Sequence, residues 1–568
     1  ISILKKNKIT ISDNNVTLEL NKCLPDVSDD FNNFFVDSEY GNFKNTELFQ
    51  KRILGLTSYF RSAQEKLLPR VIKTEDNKDY HIIKSEMSKH QFSVYEKIRK
   101  IEADKERSNK KNAFKKIDDE MLKISSTYKI FSRSACNFAF PSSIVRPQPP
   151  KKDNLVTEDE INGLSVSEKR NMDTYIDEEQ DDEQQEEILE YNKQIENTLK
   201  LLEKKNENGD SEFLSPSKLA IYSPKFLKIL DNLNNIEYNG LHLIYSQFRT
   251  IEGIGILRLV LLANGFAEFK IKKIGSDYEI IENDADIDKP KFVLYTGTES
   301  SEEKEIIRNI YNSTWDQGVP SNIVSKLSQK FSDNKNGQVI KAFMITASGA
   351  EGINLRNTRF VHIVEPYWHM VRIEQVIGRA KRICSHQDLP PELRTLQIFL
   401  YISTLSHEQK TSDKNIELRD RDRSRLDNKT PVTTDETLFE IATIKHDINV
   451  QILHTIKETA IDCDLYSQKN KDENIVCYGF GKVTSNNYSY YPSFKNDKTD
   501  DKFLNDKLDN FSATIITLDG TDYALNELTN DVYDLDAYNA AASSGKVAQL
   551  RPIGILTKIG NKYQIVGL

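Results

Sequence analysis

The chain has 568 residues, enough for roughly three or four domains with separate cores and too many for one small module. Its 78 Lys and Arg against 87 Asp and Glu leave a formal charge of −9, which argues against a simple basic nucleic-acid coat protein. It carries neither an apolar run of about 18 residues nor a charged-then-apolar leader, so no membrane partner and no secretory signal is read, and an intracellular protein is expected.

In chain order, "KITISDNNVTLELN" alternates apolar and polar side chains, as short strands do. "NTELFQKRILGLTSYF" places Phe49, Ile53, Leu56 and Phe60 at helical spacing, with Pro69 ending the run. In "SEMSKHQFSVYEKIRK", Ser88 and Gln91 form a capping-box pattern opening a long helix. A lysine-rich run follows, then the proline-rich "FAFPSSIVRPQPPK" and the acidic block at 177–187, which read as solvated face and linker.

From Ser223 the pattern changes. "SPKFLKILDNL" and "EGIGILRLVLLANG" read as helices around the buried strand "LHLIYSQF". The apolar runs "KFVLYTG", "IKAFMITAS", "RFVHIVEP" and "TLQIFLYIS" alternate with helical stretches. Strands alternating with helices predict βαβ units and an α/β fold, a parallel sheet with helices on both faces. "AEFKIKKIGSDYEII" fits an inserted hairpin. The polar stretch after Ser406 reads as a mobile loop, "TDETLFEIATIKHDINVQILHTIKETAID" as a long helix, and the C-terminus as a hairpin around Gly560 and Asn561.

Five cysteines (Cys23, Cys136, Cys384, Cys463 and Cys477) are odd in number and never spaced C-x-x-C, so they read as reduced thiols and no metal site is expected. The chain opens on Ile1, and the expectation is a portion of a longer protein.

Two stretches bear chemistry. In "AFMITASGAEGINL" a strand runs straight into Ser348, Gly349, Glu351 and Gly352, small or polar residues that let backbone N–H groups approach a phosphate. In "EQVIGRAKR", Gln375, Arg379 and Arg382 are spaced to share one helix face, with Gly378 among them. Guanidiniums grouped in this way suit a carboxylate or a phosphate.

"QVIGRAKR" matches the Q-x-x-G-R-x-x-R motif VI of superfamily 2 helicases, "ASGAEGINL" resembles their motif V, and "LIYSQF" resembles motif IV. "VEPYWHMVRIEQVIGRAKRICSHQDLP", "FQKRILGLTSYF", "MSKHQFSVYEKIR" and "NFAFP" narrow the resemblance to the helicase-like, Swi/Snf-related ATPases of large DNA viruses, the group of poxvirus nucleoside triphosphatase I and the small early transcription factor subunit. That likeness runs with gaps from about Asn45 to Cys463.

The resemblance implies a RecA-like helicase C-terminal lobe at 215–406. Around it lie a remnant or edge of a first lobe at 1–45, a helical interlobe segment at 46–140, a Pro-rich then acidic linker at 141–214, a mobile loop at 407–434 and a mixed α+β extension at 435–568. It also implies roles. Arg379 and Arg382 would be arginine fingers on the γ-phosphate of ATP, with Gln375 reading the nucleotide state. Gly349, Glu351, Gly352 and Gly378 would couple nucleotide to track, and Tyr245, Ser246, Gln247, Thr346 and Ser348 would lie along the bound DNA or RNA.

The chain shows no G-x-x-x-x-G-K-[ST] phosphate loop and no D-E-x-[DH] box, so ATP and Mg2+ are expected to be bound mainly by a first lobe outside it, leaving this chain inactive alone. The implied function is an ATP-dependent helicase or translocase of viral transcription, partnered by DNA or RNA and by viral RNA polymerase or transcription factors, in the viral factory or virion. The alternative is a catalytically inactive scaffold that binds nucleic acid or a polymerase. A Swi/Snf-type chromatin remodeller would need a histone-binding module, and none is seen.

Overall fold

The computed structural model describes residues 6–7, 22–37, 41–58, 67–112, 129–148, 182–275, 277–296, 299–347, 352–412, 421–467, 475–477, 493–494, 513–518, 520–527, 530–544, 553–559 and 562–566. It divides into two compact units, one formed by Ala63–His446 and the other by Ile1–Ser62 with Asp447–Leu568.

Among the described residues, Ala63–His446 is organised around an eight-stranded sheet. Along the chain its strands are β1 (Arg70–Val71), β2 (Tyr80–Glu86), β3 (Leu241–Tyr245), β4 (Ala267–Glu268), β5 (Lys291–Tyr295), β6 (Ala342–Ile345), β7 (Thr358–Ile363) and β8 (Thr395–Thr404). The order is β1-β8-β7-β3-β6-β5-β4, and β2 also pairs with β8. Every one of these pairings is parallel. β3 and β6 are buried at every position, which is why "LHLIY" and "AFMI" are continuous apolar runs and do not alternate.

Helices cover both faces. On one, Leu219, Phe226, Ile229 and Leu257 pack from the helices Pro216–Tyr222, Pro224–Asn234 and Ile254–Ala263. On the other, Ile306, Ile310, Ile323, Ile373 and Ile377 pack from Ser301–Tyr311, Ser321–Ser328 and Met370–Ala380. This is the RecA-like α/β arrangement expected from the sequence, with one correction: β1 and β2 fall in the segment 46–140 expected to be helical, where their backbone groups pair with β8 and extend the sheet beyond 215–406. The expected hairpin is Lys270–Ile274 paired with Asp277–Ile281.

Segments expected as connections carry packed structure. Residues 149–181 lie outside the described residues, but Tyr191, Ile195 and Leu202 of the helix Asp182–Leu202 join the core, as do Phe138, Phe140 and Ile144 before it. After Ser406, 413–420 are outside the described residues, while Asp422 is buried and ion-paired with Arg99 at 2.8 Å and Lys129 at 3.2 Å. The helix opened by Ser88 has half of its expected box. The Gln91 N–H donates to Ser88 Oγ at 2.9 Å, but the Gln91 side chain turns away to the carbonyls of Ala135 and Cys136.

In the second unit, Phe35, Phe43, Phe49 and Ile53 form a small aromatic core. The helix Thr46–Ile53 ends well before Pro69: Leu54 leaves helical geometry and Gly55 adopts φ 73°, so Leu56 falls outside the buried face and is exposed. Phe60 and the strands expected within 8–21 lie outside the described residues. The C-terminal part is a five-stranded antiparallel sheet with the helix Leu535–Ser544 against it, and its last two strands are the expected hairpin. The reading of all five cysteines as free thiols is corrected here. Cys463 and Cys477 form a disulfide with Cα atoms 5.7 Å apart, a proximity that a 14-residue separation cannot reveal. Cys23, Cys136 and Cys384 are free. Among the described residues no helix is long and apolar enough to cross a membrane.

Candidate functional site

Because all the strands are parallel, their carboxyl ends share one edge, where ligands bind in open α/β sheets. The chain leaves β3 towards one face, into the helix Ile254–Ala263, and leaves the adjacent β7 towards the other, into Met370–Ala380. A crevice is expected between two such strand ends.

That crevice is filled by polar side chains from within the unit. Glu365, just past β7, accepts hydrogen bonds from Ser246 Oγ at 3.0 Å, the Gln247 N–H at 2.5 Å and Asn137 Nδ2 at 3.0 Å. Burial raises the Glu365 carboxyl above its ordinary range, and the Gln247 N–H, Lys225, Asn137 and Ser246 act the other way. Asn137 Oδ1 in turn accepts from Lys225 Nζ at 2.8 Å, and that buried ammonium pairs with Asp435 at 2.5 Å. Asn137 and Arg133 come from the helix Ile130–Asn137, where the Cys136 carbonyl accepts from Ser403 Oγ at 2.6 Å, at the end of β8.

The turn after β3 is tight. Phe248 O accepts the Ile254 N–H and Arg249 O accepts the Gly255 N–H, each at 2.8 Å. A Cβ on Gly253 would meet Phe248 O at 2.0 Å, and one on Gly255 would meet Thr250 O at 1.6 Å, so both positions need glycine. Glu252, at φ 46°, is fastened to Arg146 through both carboxylate oxygens.

The expected site residues separate into groups. Tyr245 is part of the core, Ser246 is fully buried against Glu365, and Gln247 is 5 % exposed against Arg133, so these three support the turn and do not form its outer surface. Arg249 and Thr250, next in the turn, are half-buried, with the Thr250 hydroxyl out of solvent, and the sequence pattern singles out neither. Thr346 is buried at the end of β6, with its hydroxyl 3.5 Å from Thr296 O. Ser348, Gly349 and Glu351 lie outside the described residues, and Gly352 after them has φ 72°, a conformation that favours glycine.

Met370–Ala380 buries Met370, Ile373, Val376, Ile377 and Ala380 and leaves Gln375 exposed and Gly378 and Arg379 half-buried. Arg379 Nε is buried with no hydrogen-bond partner among the described residues. A Cβ on Gly378 would meet no atom within 4 Å, so no packing contact in the described structure demands glycine there. The expectation that Arg382 shares this helix is corrected. The helix ends at Ala380 and Lys381 turns out of it at ψ 78°; Arg382 lies in the following turn, its Nε donating to the Gly378 carbonyl at 3.2 Å. Arg382 and Gly378 are thereby brought together by a hydrogen bond in place of a shared helical face.

The described residues at this edge do not fit a magnesium ion, since Glu365 is engaged by protein donors. Among the described residues no group of three or more His, Cys, Asp or Glu side chains could hold a metal.

No protein-family model matches the chain. Over 520 residues it is 26% identical to the protein named "Putative ATP-dependent RNA helicase R350" of Acanthamoeba polyphaga mimivirus, covering 83% of this chain and 54% of that protein. Over 235 residues it is 34% identical to a termination factor NPH-I homolog of African swine fever virus, covering 37% of this chain and 29% of the relative. The solved C-terminal part of the Fun30 ATPase domain aligns with 67% of this chain and 99% of its own length at 17% identity, with a TM-score of 0.30. The chain spans about half to three fifths of the length of the mimivirus relatives it matches over most of its own length.

Proposed function

From the premise that the chain is a relative of the helicase-like proteins of large DNA viruses, we propose that it supplies the arginine-bearing C-terminal lobe of an ATP-dependent nucleic-acid helicase or translocase acting in viral transcription. The observation that carries this reading is Arg379. Its Nε is out of solvent and lacks an acceptor among the described residues, on a helix otherwise anchored by five buried apolar residues. A buried donor left unpaired costs about 1–3 kcal/mol, and a γ-phosphate oxygen arriving across an interlobe cleft would satisfy it.

In this reading ATP and its magnesium are held mainly by a phosphate-loop lobe elsewhere in the whole protein. Arg379, with Arg382 behind it, stabilises charge on the transferring phosphoryl group, and Gln375 reads the nucleotide state. The open space at Gly378 lets the nucleotide or the facing lobe approach the helix backbone. The turn after β3 and the loop after β6 meet the phosphates of DNA or RNA, with Arg249 as the outer contact. Viral RNA polymerase or transcription factors are the protein partners of this activity.

Gly378→Ala separates function from folding. Alanine in a helix interior is favoured over glycine by about 0.5–1 kcal/mol, so the thermal midpoint of the variant should hold or rise. Nucleic-acid-stimulated NTP hydrolysis by the full-length protein should nevertheless fall by about tenfold or more, the equivalent of 1.4 kcal/mol. Stabilisation with turnover unchanged would remove Gly378 from the site.

A further inference from the structure

We propose that Arg133 is a positioning residue that mechanically couples the turn after β3 to the Met370–Ala380 helix. The inference rests on the reading above, in which the turn meets nucleic acid and the helix meets nucleotide.

Arg133 is 1 % exposed and lies between the two elements. On one side its Nη2 donates to Gln247 Oε1 at 2.5 Å, and its guanidinium carbon is 5.6 Å from the centre of the Phe248 ring. On the other it is 5.9 Å from the Tyr367 ring and 5.6 Å from the Trp368 ring. Tyr367 and Trp368 stack with centroids 3.7 Å apart, and the next residue, His369, is the N-cap of the helix that carries Gln375, Gly378 and Arg379.

The entry to that helix is itself fastened. Arg372, in its first turn, reaches back over the Tyr367 ring at 4.7 Å and donates to the Tyr367 hydroxyl at 2.7 Å. A continuous packed path therefore runs from Gln247 and Phe248 through Arg133 to Tyr367, Trp368 and the helix N-terminus. Close-packed interiors transmit displacement, because a side chain enclosed on all sides cannot absorb it. Burying a guanidinium among three aromatic rings also selects arginine, whose planar cation can face the rings while its edge donates to Gln247. Asn137, one turn further along the same helix and bonded to Glu365, holds that helix in register with the strand ends.

The chain contains two tryptophans, which makes the path observable. In a Trp315→Phe background, Trp368 is the sole tryptophan reporter. Titration with single-stranded dT20 or a 20-base-pair duplex should change Trp368 emission saturably. Arg133→Met and the milder Arg133→Lys should keep affinity, measured separately by anisotropy of the labelled oligonucleotide, within about threefold and lose at least half of the Trp368 response. If Arg133→Met does not fold by circular dichroism, Arg133→Lys decides. A full Trp368 response in the folded variants overturns the proposal, as does a tenfold or greater loss of affinity, which would make Arg133 part of the binding surface. Absence of binding by the unsubstituted protein fails the underlying reading and the coupling with it, and is told apart by the anisotropy measurement alone.

Discussion

Arg379→Ala is expected to lower nucleic-acid-stimulated NTP hydrolysis by the full-length protein by roughly 10³-fold or more, the range that arginine fingers contribute to phosphoryl transfer. The backbone at 379 is held independently of the side chain, since its carbonyl accepts the Leu355 N–H at 3.0 Å and Val376, Ile377 and Ala380 anchor the same turn. Alanine therefore removes the guanidinium and leaves the helix in place. Because Arg379 Nε has no acceptor among the described residues, its loss should not lower the thermal midpoint, and removing a buried unpaired donor should raise it slightly. Nucleic-acid affinity should stay within about threefold, because the turn after β3 does not depend on this side chain. Arg382→Ala should differ, since it also breaks the bond to the Gly378 carbonyl, a contribution of about 0.5–1.5 kcal/mol to stability. Turnover within twofold of the unsubstituted protein for Arg379→Ala, measured by phosphate release, would remove the arginine-finger role.

What the sequence conveyed and what it concealed differ in range. β3, β5, β6, β7 and β8 are each a short apolar run, and the Met370–Ala380 helix shows its buried face at spacings of three and four, so local windows suffice to find them. The network at the carboxyl edge is different. Arg133 and Gln247 are 114 positions apart, Asn137 and Glu365 are 228 apart, and Lys225 and Asp435 are 210 apart. No local spacing links such residues, so Arg133 carries no sequence signal, and Asn137 in "NFAFP" and Glu365 in "RFVHIVEP" show their run but not their partner. A motif also carries no backbone geometry. Q-x-x-G-R-x-x-R aligns Arg382 with a helical face, and only the torsion at Lys381 shows that the chain leaves the helix first. The same limit applies to Cys463 and Cys477, whose pairing depends on where the chain returns.

The buried histidines of the sheet lead to the second prediction: His362 should make the fold acid-labile. His242 on β3, His362 on β7 and Tyr401 on β8 form one directional chain. His242 Nε2 is 3.0 Å from the Tyr238 carbonyl, which can only accept, so it carries the proton and leaves Nδ1 as an acceptor. His362 Nε2, 2.9 Å away, must then donate, and its Nδ1 accepts from the Tyr401 hydroxyl at 2.8 Å. The Tyr401 oxygen accepts from Asn232 Nδ2 at 2.7 Å. Each imidazole is thus neutral with both nitrogens used, and a second proton on either would face a donor. Burial lowers His362 to about 3, and burial with the neighbouring His362 holds His242 well below its ordinary value. Free histidine titrates near 6.5, so the unfolded chain takes up a proton at His362 that the folded chain refuses. That contribution to stability is complete above about pH 6.5 and is lost as pH falls through the interval towards the folded value. Buried carboxyls raised by desolvation, Glu102, Glu252, Glu365 and Glu436, act in the opposite sense, since the folded state holds their protons more readily. A difference between two proteins cancels them. Gln at 362 keeps one donor and one acceptor but does not titrate, so His362→Gln should be less stable than the unsubstituted protein at pH 7.5. The gap should close by about 1.4 kcal/mol per pH unit below 6.5. Urea midpoints taken from pH 7.5 to 5 test this, and parallel pH profiles for the two proteins would show that His362 does not resist protonation in the fold.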